Sequence, residues 1–201
     1  MKVVWINGWS LDKAFVAKRA EARFPKCQHV VVNPVPGWDR IVESLEAIDI
    51  LIGYSLGAFS LMGRQDLCQR IGRTILLAPF EDFRAESNRG GKVKRGQLSY
   101  LQKCLARDAR AAVADFRIRS GIDEPVNEDT EISVEDLKWG IERLRSDSVD
   151  AGTIEAFECY LGSEDSLLDS AVLKSMYPNI EIIEGAGHDL KQLLESGRVK
   201  L

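Results

Sequence analysis

Ile48-Asp49-Ile50-Leu51-Ile52-Gly53-Tyr54-Ser55-Leu56-Gly57 is the stretch that decides how this chain folds. Its apolar first half has the character of a buried strand, and the pattern that follows, Ala58 to Gln65, favours a helix. Between the two, a pair of glycines flanks Ser55 in a Gly-x-Ser-x-Gly turn. A strand that passes sharply into a helix at such a turn holds the serine hydroxyl up at the end of a sheet. A glycine-lined loop with a solvated serine is the alternative interpretation.

Five other short runs have the composition of β-strands. Most of these runs are nearly continuous in apolar character, which is typical of strands buried on both faces of a parallel sheet. Their bounds are Lys2 to Ile6, His29 to Asn33, Thr74 to Ala78, Glu155 to Leu161 and Ile180 to Glu184. Helical patterns alternate with the first four strands, at Asp12 to Arg23, Trp38 to Ala47 and Ala58 to Arg70. The alternation predicts an α/β fold built on a doubly wound, mostly parallel sheet of about six strands.

The alternation stops after Pro79, and about seventy residues pass before the next predicted strand. An interval of this length is too long for a plain loop. Apolar residues recur at helical spacing from Leu98 to Phe116 and again from Val134 to Leu144, and Ser133 is a plausible N-cap for the second pattern. We therefore expect residues 81–151 to form a helical cap, inserted into a core made of residues 1–80 and 152–201.

The composition excludes several classes of protein. With 45% hydrophobic and 29% charged residues, a chain of 201 residues can bury one sizeable core. It is too short to form two domains of typical size. A net charge of -4 gives no reason to expect a nucleic-acid partner. The apolar stretch Val3 to Ile6 is too short to span a membrane. We expect a soluble, cytoplasmic monomer.

The cysteines of the chain are widely separated and form no Cys-x-x-Cys pair. They are Cys27, Cys68, Cys104 and Cys159. This spacing favours neither a zinc site nor a disulfide framework, so no metal is expected. Idle thiols in a reducing compartment account for it better.

Candidate catalytic residues can be sorted by position, because chemistry in open parallel sheets collects beyond the carboxyl ends of the strands. Ser55 lies at this edge. Of the two histidines, His29 opens a strand at its amino end, whereas His188 lies in a loop just beyond the last strand. His188 is therefore the candidate general base, and a purely structural histidine is the alternative.

An acid must orient the imidazole and stabilise its cationic form. Asp165 follows the fifth strand at the same edge and precedes His188, which gives the chain order Ser, Asp, His. Glu164 and Asp169 are rival candidates for this acid. A helix N-cap is the non-catalytic alternative for Asp165.

Acyl transfer also needs two backbone N–H groups that bind the developing oxyanion. Leu56 follows the candidate nucleophile and supplies the first. In Asn7-Gly8-Trp9-Ser10, which follows the opening strand, the glycine lets the backbone turn so that the N–H of Trp9 points at the site. An ordinary turn with a packed aromatic is the alternative for this loop. The chemistry itself requires no metal or organic cofactor.

These residues resemble the α/β-hydrolase superfamily, and more narrowly the pimeloyl-ACP methyl ester esterases of biotin synthesis. That family has a His-Gly-Trp-Gly loop in place of Asn7-Gly8-Trp9-Ser10 and a Gly-Trp-Ser-Leu-Gly elbow in place of Gly53-Tyr54-Ser55-Leu56-Gly57. Its acid lies in a Gly-x-x-Asp segment similar to Gly162 to Asp165, and its base follows a short stretch similar to Gly185-Ala186-Gly187. Val134 to Leu144 looks like its segment before the fifth core strand.

The chain also departs from the family pattern. Asn7 replaces the loop histidine, the proline that often follows the acid is missing, and Asp189-Leu190 differs from the usual continuation after the base. These departures leave the hydrolase interpretation intact and bear mainly on the substrate.

The resemblance implies hydrolysis of a methyl ester at the far end of a pimeloyl chain carried on acyl carrier protein. Such a substrate needs a narrow apolar channel and a docking surface for an acidic carrier. Residues 81–119 carry ten basic and five acidic side chains, an imbalance that would steer an acidic partner. The docking candidates are Arg107, Arg110, Arg117 and Arg119. Gly121 to Asp150 is strongly acidic, so opposite charges that face each other within the cap are the alternative.

Two other functions fit the same residues. The first is a general short-chain carboxylesterase or thioesterase with the same triad, whose cap meets only small molecules. The second is a non-catalytic hydrolase-fold protein that binds a partner through its basic residues.

Overall fold

A computed structural model describes residues 1–124 and 132–201, and its centre is a parallel β-sheet. The strands follow the order β2-β1-β3-β4-β5-β6, and every neighbouring pair is parallel. Their bounds are β1 Lys2–Ile6, β2 Gln28–Val32, β3 Ile50–Tyr54, β4 Thr74–Leu77, β5 Glu158–Gly162 and β6 Glu181–Ile183. The predicted α/β fold with about six strands is confirmed.

The strand order explains why the sheet is covered on both faces. From β1 the chain moves outward to β2, then returns to β3 on the other side of β1 and continues to β6. Because crossovers between parallel strands are right-handed, reversing the direction of travel places the connecting helices on opposite faces. The reversal lies between β1 and β3, so the loops after these two strands meet at one point of the sheet edge.

Nine α-helices lie in the described ranges. They are α1 Lys13–Arg23, α2 Trp38–Glu43, α3 Leu56–Met62, α4 Gln65–Ile71, α5 Arg95–Arg107, α6 Ala109–Ser120, α7 Val134–Ser146, α8 Ser170–Met176 and α9 Leu190–Glu195. Asp12 and Ser133 accept hydrogen bonds as N-caps of α1 and α7.

Two segments predicted as continuous helices are each broken, so these predictions are wrong in extent. Ala58 to Arg70 divides into α3 and α4 at Arg64, whose backbone leaves the helical region while its guanidinium pairs with Asp39, Glu43 and Asp66. The pattern from Leu98 to Phe116 divides into α5 and α6 at Asp108. The Asp108 carboxylate accepts a hydrogen bond from the N–H of Ala111 and so caps α6.

The helices α5, α6 and α7 occupy the long interval between β4 and β5, and α5 contacts both of the others. The two ends of this interval meet, because the N–H of Val149 donates to the carbonyl of Glu81 over 3.0 Å. The predicted cap bounds, 81–151, match this arrangement but stay a prediction. Residues 125–131, which belong to the acidic segment Gly121 to Asp150 of the predicted cap, lie outside the described residues.

The hydrophobic core is centred on the middle strands, where Trp5, Ile6, Leu51, Ile52 and Leu76 are 1% exposed or less. Strands that are buried on both faces consist largely of apolar residues, so their positions could be predicted from the sequence. In the ranges 1–124 and 132–201, no helix has the length and apolar character needed to cross a membrane.

Candidate active site

The serine turn lies where the sequence places it, between the end of β3 and the start of α3. Ser55 has φ 53° and ψ -114°, a strained conformation for a residue other than glycine. The turn is also tight, because a Cβ atom at Gly57 would lie 2.0 Å from the carbonyl oxygen of Ile6. Only glycine allows α3 to start so close to β1, and this packing fixes Ser55 at the carboxyl edge of the sheet.

Three predicted side chains meet in a continuous chain of hydrogen bonds. The Oγ atom of Ser55 lies 2.9 Å from Nε2 of His188, and Nδ1 of His188 lies 2.7 Å from Oδ2 of Asp165. His188 is 2% exposed and Asp165 is 1% exposed. A carboxylate is an acceptor, so Nδ1 carries the proton and Nε2 is left to accept the serine hydroxyl. This is the tautomer that a general base needs.

Asp165 is fixed by its own backbone surroundings. Its Oδ1 atom accepts hydrogen bonds from the N–H groups of Leu167 at 2.8 Å and Leu168 at 2.9 Å. Of the rival acids, Glu164 is exposed, and Asp169 caps α8 by accepting from the N–H of Val172. The structure therefore places Asp165, and neither rival, against His188.

The loop that carries His188 is held from two sides. Tyr54, the residue before the candidate nucleophile, donates its hydroxyl to the backbone carbonyl of His188 over 2.5 Å. Burial, together with the charges of Asp189 and Asp165, raises the pKa of Tyr54 well above its ordinary value, so the phenol stays protonated as a donor. On the other side, Asp189 caps α9 by accepting from the N–H of Lys191.

Two backbone N–H groups at this edge are not used by the fold. Among the described residues, the N–H groups of Trp9 and Leu56 have no hydrogen-bond partner. Leu56 is the first residue of α3, where an N–H has no intrahelical acceptor and the helix dipole favours negative charge. Both therefore remain available for the oxyanion role that the sequence predicted.

Asn7 shapes the loop that carries Trp9, a role that sequence reasoning missed. Its Oδ1 atom accepts from the N–H of Gly8 at 2.8 Å, and its Nδ2 atom donates to the carbonyl of Leu11 at 2.9 Å. The side chain thus replaces backbone hydrogen bonds inside the turn. Its position directly after β1 was the signal that could have indicated this function.

The remaining sequence candidates lie elsewhere. His29 lies toward the amino end of the sheet, where its Nδ1 atom accepts a hydrogen bond from the indole N–H of Trp5 at 3.1 Å. Arg107, Arg110 and Arg119 are exposed on α5 and α6. Arg117, by contrast, is 5% exposed and donates to the carbonyl of Ser10, so its predicted place on a docking surface is wrong. The sequence pattern could not show that this arginine turns inward.

A cavity of about 690 Å³ lies between α5 and α6, next to this edge of the sheet. Its wall includes Leu98, Leu101, Phe116 and Leu167, and Arg107 and Arg119 also line it. Phe116 packs edge-on against the indole of Trp9, with 4.7 Å between ring centroids. Leu167 is hydrogen-bonded to Asp165. Two of the lining residues, Phe116 and Leu167, therefore contact the candidate-site residues Trp9 and Asp165. In the part of the chain that the structure covers, no group of three or more His, Cys, Asp or Glu side chains is arranged to hold a metal ion.

Solved structures with the same architecture come from several enzymes. An esterase from Exiguobacterium antarcticum superposes with a TM-score of 0.71 at 13% identity, covering 94% of this chain and 85% of that one. The chain has the α/β-hydrolase fold. The bottromycin epimerase BotH superposes with a TM-score of 0.66 at 12% identity, covering 98% and 85% of the two chains.

A third similar structure is the N-acyl homoserine lactonase AidH, with a TM-score of 0.62, 14% identity, and coverage of 93% and 82%. No protein-family model matches the chain, and no curated protein sequence matches it significantly. An esterase, a lactonase and an epimerase thus share one fold at low identity, so likeness of fold does not decide the reaction. The reaction has to be argued from the site.

Proposed function

We propose that this protein is a serine carboxyl-ester hydrolase in which Ser55 is the nucleophile, His188 the general base and Asp165 the orienting acid. The observation that carries the proposal is the hydrogen-bonded chain of these three side chains, together with the N–H groups of Trp9 and Leu56, which have no partner in residues 1–124 and 132–201. These are the groups that acyl transfer through a covalent intermediate needs.

The proposed cycle has two halves. Nε2 of His188 takes the proton from Ser55 as the serine oxygen attacks the ester carbonyl carbon, and the N–H groups of Trp9 and Leu56 bind the oxyanion. His188 then protonates the departing alcohol, which leaves the acyl group on Ser55. A water molecule, deprotonated by His188, attacks this acyl-enzyme and releases the acid. Asp165 stabilises the imidazolium in both halves, so the cycle requires no metal or organic cofactor.

The cavity between α5 and α6 supports an acyl substrate with an extended aliphatic part. Its apolar lining includes Leu101, Phe116 and Leu167, and the last two contact Trp9 and Asp165 of the candidate site. A chain of several methylenes gains about 0.8 kcal/mol for each buried CH₂ group. The finer proposal is therefore the methyl ester of pimeloyl-ACP, a substrate of biotin synthesis in which a C7 acyl chain is carried on a protein.

The exposed arginines support a protein-bound substrate over a free one. Arg107 and Arg119 line the cavity and are exposed, and Arg110 is exposed nearby on α6. Acyl carrier protein is acidic, so this surface would attract it to the mouth of the cavity. Not every cap arginine contributes equally, because Arg84 and Arg89 pair with the buried carboxylates of Asp82 and Glu81. Arg119 also pairs with Asp115, but on the exposed surface, so Arg107 and Arg110 are the residues chosen for the test. The proposed compartment is the cytoplasm, in keeping with four free cysteines.

Two substrates test the proposal. We expect the wild-type protein to hydrolyse both pimeloyl-ACP methyl ester and a short p-nitrophenyl ester, with the higher kcat/KM on the carrier-bound ester, and Ser55→Ala to hydrolyse neither. Turnover of the small ester alone would leave a general short-chain esterase. No turnover of either would favour the non-catalytic binding protein.

Charge reversal tests the carrier separately from the chemistry. Arg107→Glu combined with Arg110→Glu should lower kcat/KM for pimeloyl-ACP methyl ester and weaken its salt dependence, while hydrolysis of the p-nitrophenyl ester stays unchanged. Arg70→Glu reverses an exposed charge on α4 and is the matched control. Equal losses on both substrates would show that the cap arginines do not act by docking a carrier.

A further inference from the structure

A buried ion pair joins the cap to the loop that follows β1. Arg117 of α6 and Glu124 in the segment after it are each 5% exposed, and Nη2 of Arg117 lies 3.7 Å from Oε2 of Glu124. Desolvating two charged groups is costly, and such a pair is a weak source of net stability. Net stabilisation therefore does not explain why this ion pair is buried. The other hydrogen bonds of Arg117 and Glu124 indicate a different role.

Both members of the pair bind the backbone of the loop. Arg117 donates from Nη2 to the carbonyl of Ser10, and Oε1 of Glu124 accepts from the N–H of Asp12 at 3.1 Å. Nη1 of Arg117 also donates to the carbonyl of Glu124 at 3.2 Å, which fixes the two residues relative to each other. Ser10 follows Trp9 directly, so the contacts hold the backbone next to the proposed oxyanion donor.

The side chain of Trp9 is held by the same part of the protein. Its indole N–H donates to the carbonyl of Leu137 on α7 at 2.9 Å, and its ring packs against Phe116 on α6. A Cβ atom at Gly140 would come within 2.6 Å of the indole, so α7 lies directly on the ring. Trp9 is thus fixed by two cap helices.

The loop has a conformation that needs such support. Ser10 has φ 64°, in the left-handed region that residues other than glycine rarely adopt. If the strained turn relaxed, the adjoining peptide groups would rotate and the N–H of Trp9 would no longer point at the same place. We propose that the cap sets the oxyanion site, with Arg117 and Glu124 as positioning residues that hold Trp9 for catalysis. This inference rests on the proposed function.

The same segment also reaches the loop of the proposed base. The N–H of Asp123 donates to Oδ2 of Asp189 at 2.7 Å, and Asp189 directly follows His188. The end of α6 and the residues after it therefore contact both loops that complete the site around Ser55. Loss of the Arg117 and Glu124 contacts should affect the oxyanion loop first, since both residues bind that loop directly.

The test measures transition-state binding in variants of the pair. We expect Arg117→Met to lower kcat on a p-nitrophenyl ester about 10- to 100-fold with little change in KM, because one oxyanion donor is displaced while substrate contacts remain. The inhibition constant of a trifluoromethyl ketone, whose adduct with serine carries an oxyanion, should rise by a similar factor. Arg117→Lys should recover part of both losses. All rates are taken per active site, titrated with a fluorophosphonate.

The partner residue supplies an independent arm. Glu124→Gln keeps an acceptor for the N–H of Asp12 and should retain most of the activity, whereas Glu124→Ala should behave like Arg117→Met. Arg70→Met, which removes an exposed arginine on α4, is the control. This arm decides the question if Arg117→Met does not fold.

The outcomes separate this inference from the proposed function. Absence of turnover by the wild-type protein would contradict both the proposed function and this inference. An active wild type whose Arg117→Met and Glu124→Ala variants keep kcat and ketone affinity per active site, with only a lower melting temperature, overturns the positioning role alone. A rise in KM without a fall in kcat would also overturn it.

Discussion

The hydroxyl of Tyr54 donates a 2.5 Å hydrogen bond to the backbone carbonyl of His188. The residue before the proposed nucleophile therefore holds the loop that carries the proposed base, and the rings of the two residues lie 5.6 Å apart. One side chain thus couples the end of β3 to the loop after β6. The distance between Ser55 and His188 depends on this contact as well as on the sheet.

Tyr54→Phe removes this hydroxyl and leaves the ring in place. The buried carbonyl of His188 loses its partner, at a cost of about 1–3 kcal/mol, and the loop gains freedom. We expect kcat to fall roughly 10-fold or more with KM nearly unchanged. The matched control is Tyr160→Phe, which removes a hydroxyl bound to Glu158 at the opposite end of the sheet. Equal effects of the two variants on kcat would show that Tyr54 contributes only to stability.

Asp165→Asn should nearly abolish turnover. An amide at this position favours the wrong tautomer of His188 and cannot stabilise its cation, so kcat should fall by about 10⁴-fold. The fold should survive, because the side chain keeps an oxygen to accept from Leu167 and Leu168. Glu164→Gln and Asp169→Asn serve as controls with steady-state kinetics. A larger loss in either control than in Asp165→Asn would move the acid elsewhere.

Gly57→Ala tests the packing of the serine turn. The added methyl group would meet the backbone of Ile6 at 2.0 Å, and backbone in the central sheet cannot move aside cheaply. We expect the free energy of unfolding to drop by about 3 kcal/mol or more, or the protein not to fold. Gly96→Ala, at a helical site with open space, should instead stabilise α5 by up to about 1 kcal/mol. Similar denaturation midpoints for the two variants would contradict the close approach of α3 to β1.

Glu124 should make stability depend on pH. Burial raises the pKa of Glu124 from its ordinary 4.5 to about 7, against the opposing effect of Arg117 and with smaller effects of Asp12 and Asp189. Between these two values the folded protein keeps a proton that the unfolded chain has released, so stability falls as pH rises through this interval and levels off above it. The Glu124→Gln variant has no titratable group at this position, so this contribution to the pH dependence is absent from it.

Denaturant titrations of the wild type and Glu124→Gln at pH 5 and pH 8 measure the effect. Between pH 5 and pH 8, the free energy of unfolding of Glu124→Gln should rise relative to that of the wild type by up to about 3 kcal/mol. A difference between the two proteins that does not change with pH would show that Glu124 titrates normally.

The sequence predicted the parts of this site that depend on strand order. Ser55, Asp165 and His188 each follow a strand that the sequence predicted, and a parallel sheet brings the carboxyl ends of its strands to one edge. Their positions could be predicted without knowing any distance. The choice of Asp165 over Glu164 could not, because neighbouring residues differ only in the direction of their side chains.

The features that the sequence did not predict depend mainly on contacts between side chains that are distant in the sequence. Arg117 was placed on a surface because a charged helical residue is usually solvated, and its inward direction is set by Ser10 and Glu124. The break at Asp108 had a local signal, since aspartate is a favoured N-cap. The break before Arg64 also had a local signal, because Gly63 is the C-cap residue of α3 and glycine often ends a helix. The ion pairs of Arg64 with Asp39 and Glu43, some twenty positions earlier, could not be predicted.

Covalent labelling tests the central claim most directly. Intact-mass and peptide mass spectrometry after incubation with a fluorophosphonate should find one adduct per molecule, on Ser55. Ser55→Ala should not react, and His188→Ala should react slower by about three orders of magnitude or more, because the two residues act as a unit. An unlabelled wild type, or an adduct on a different residue, would contradict the account.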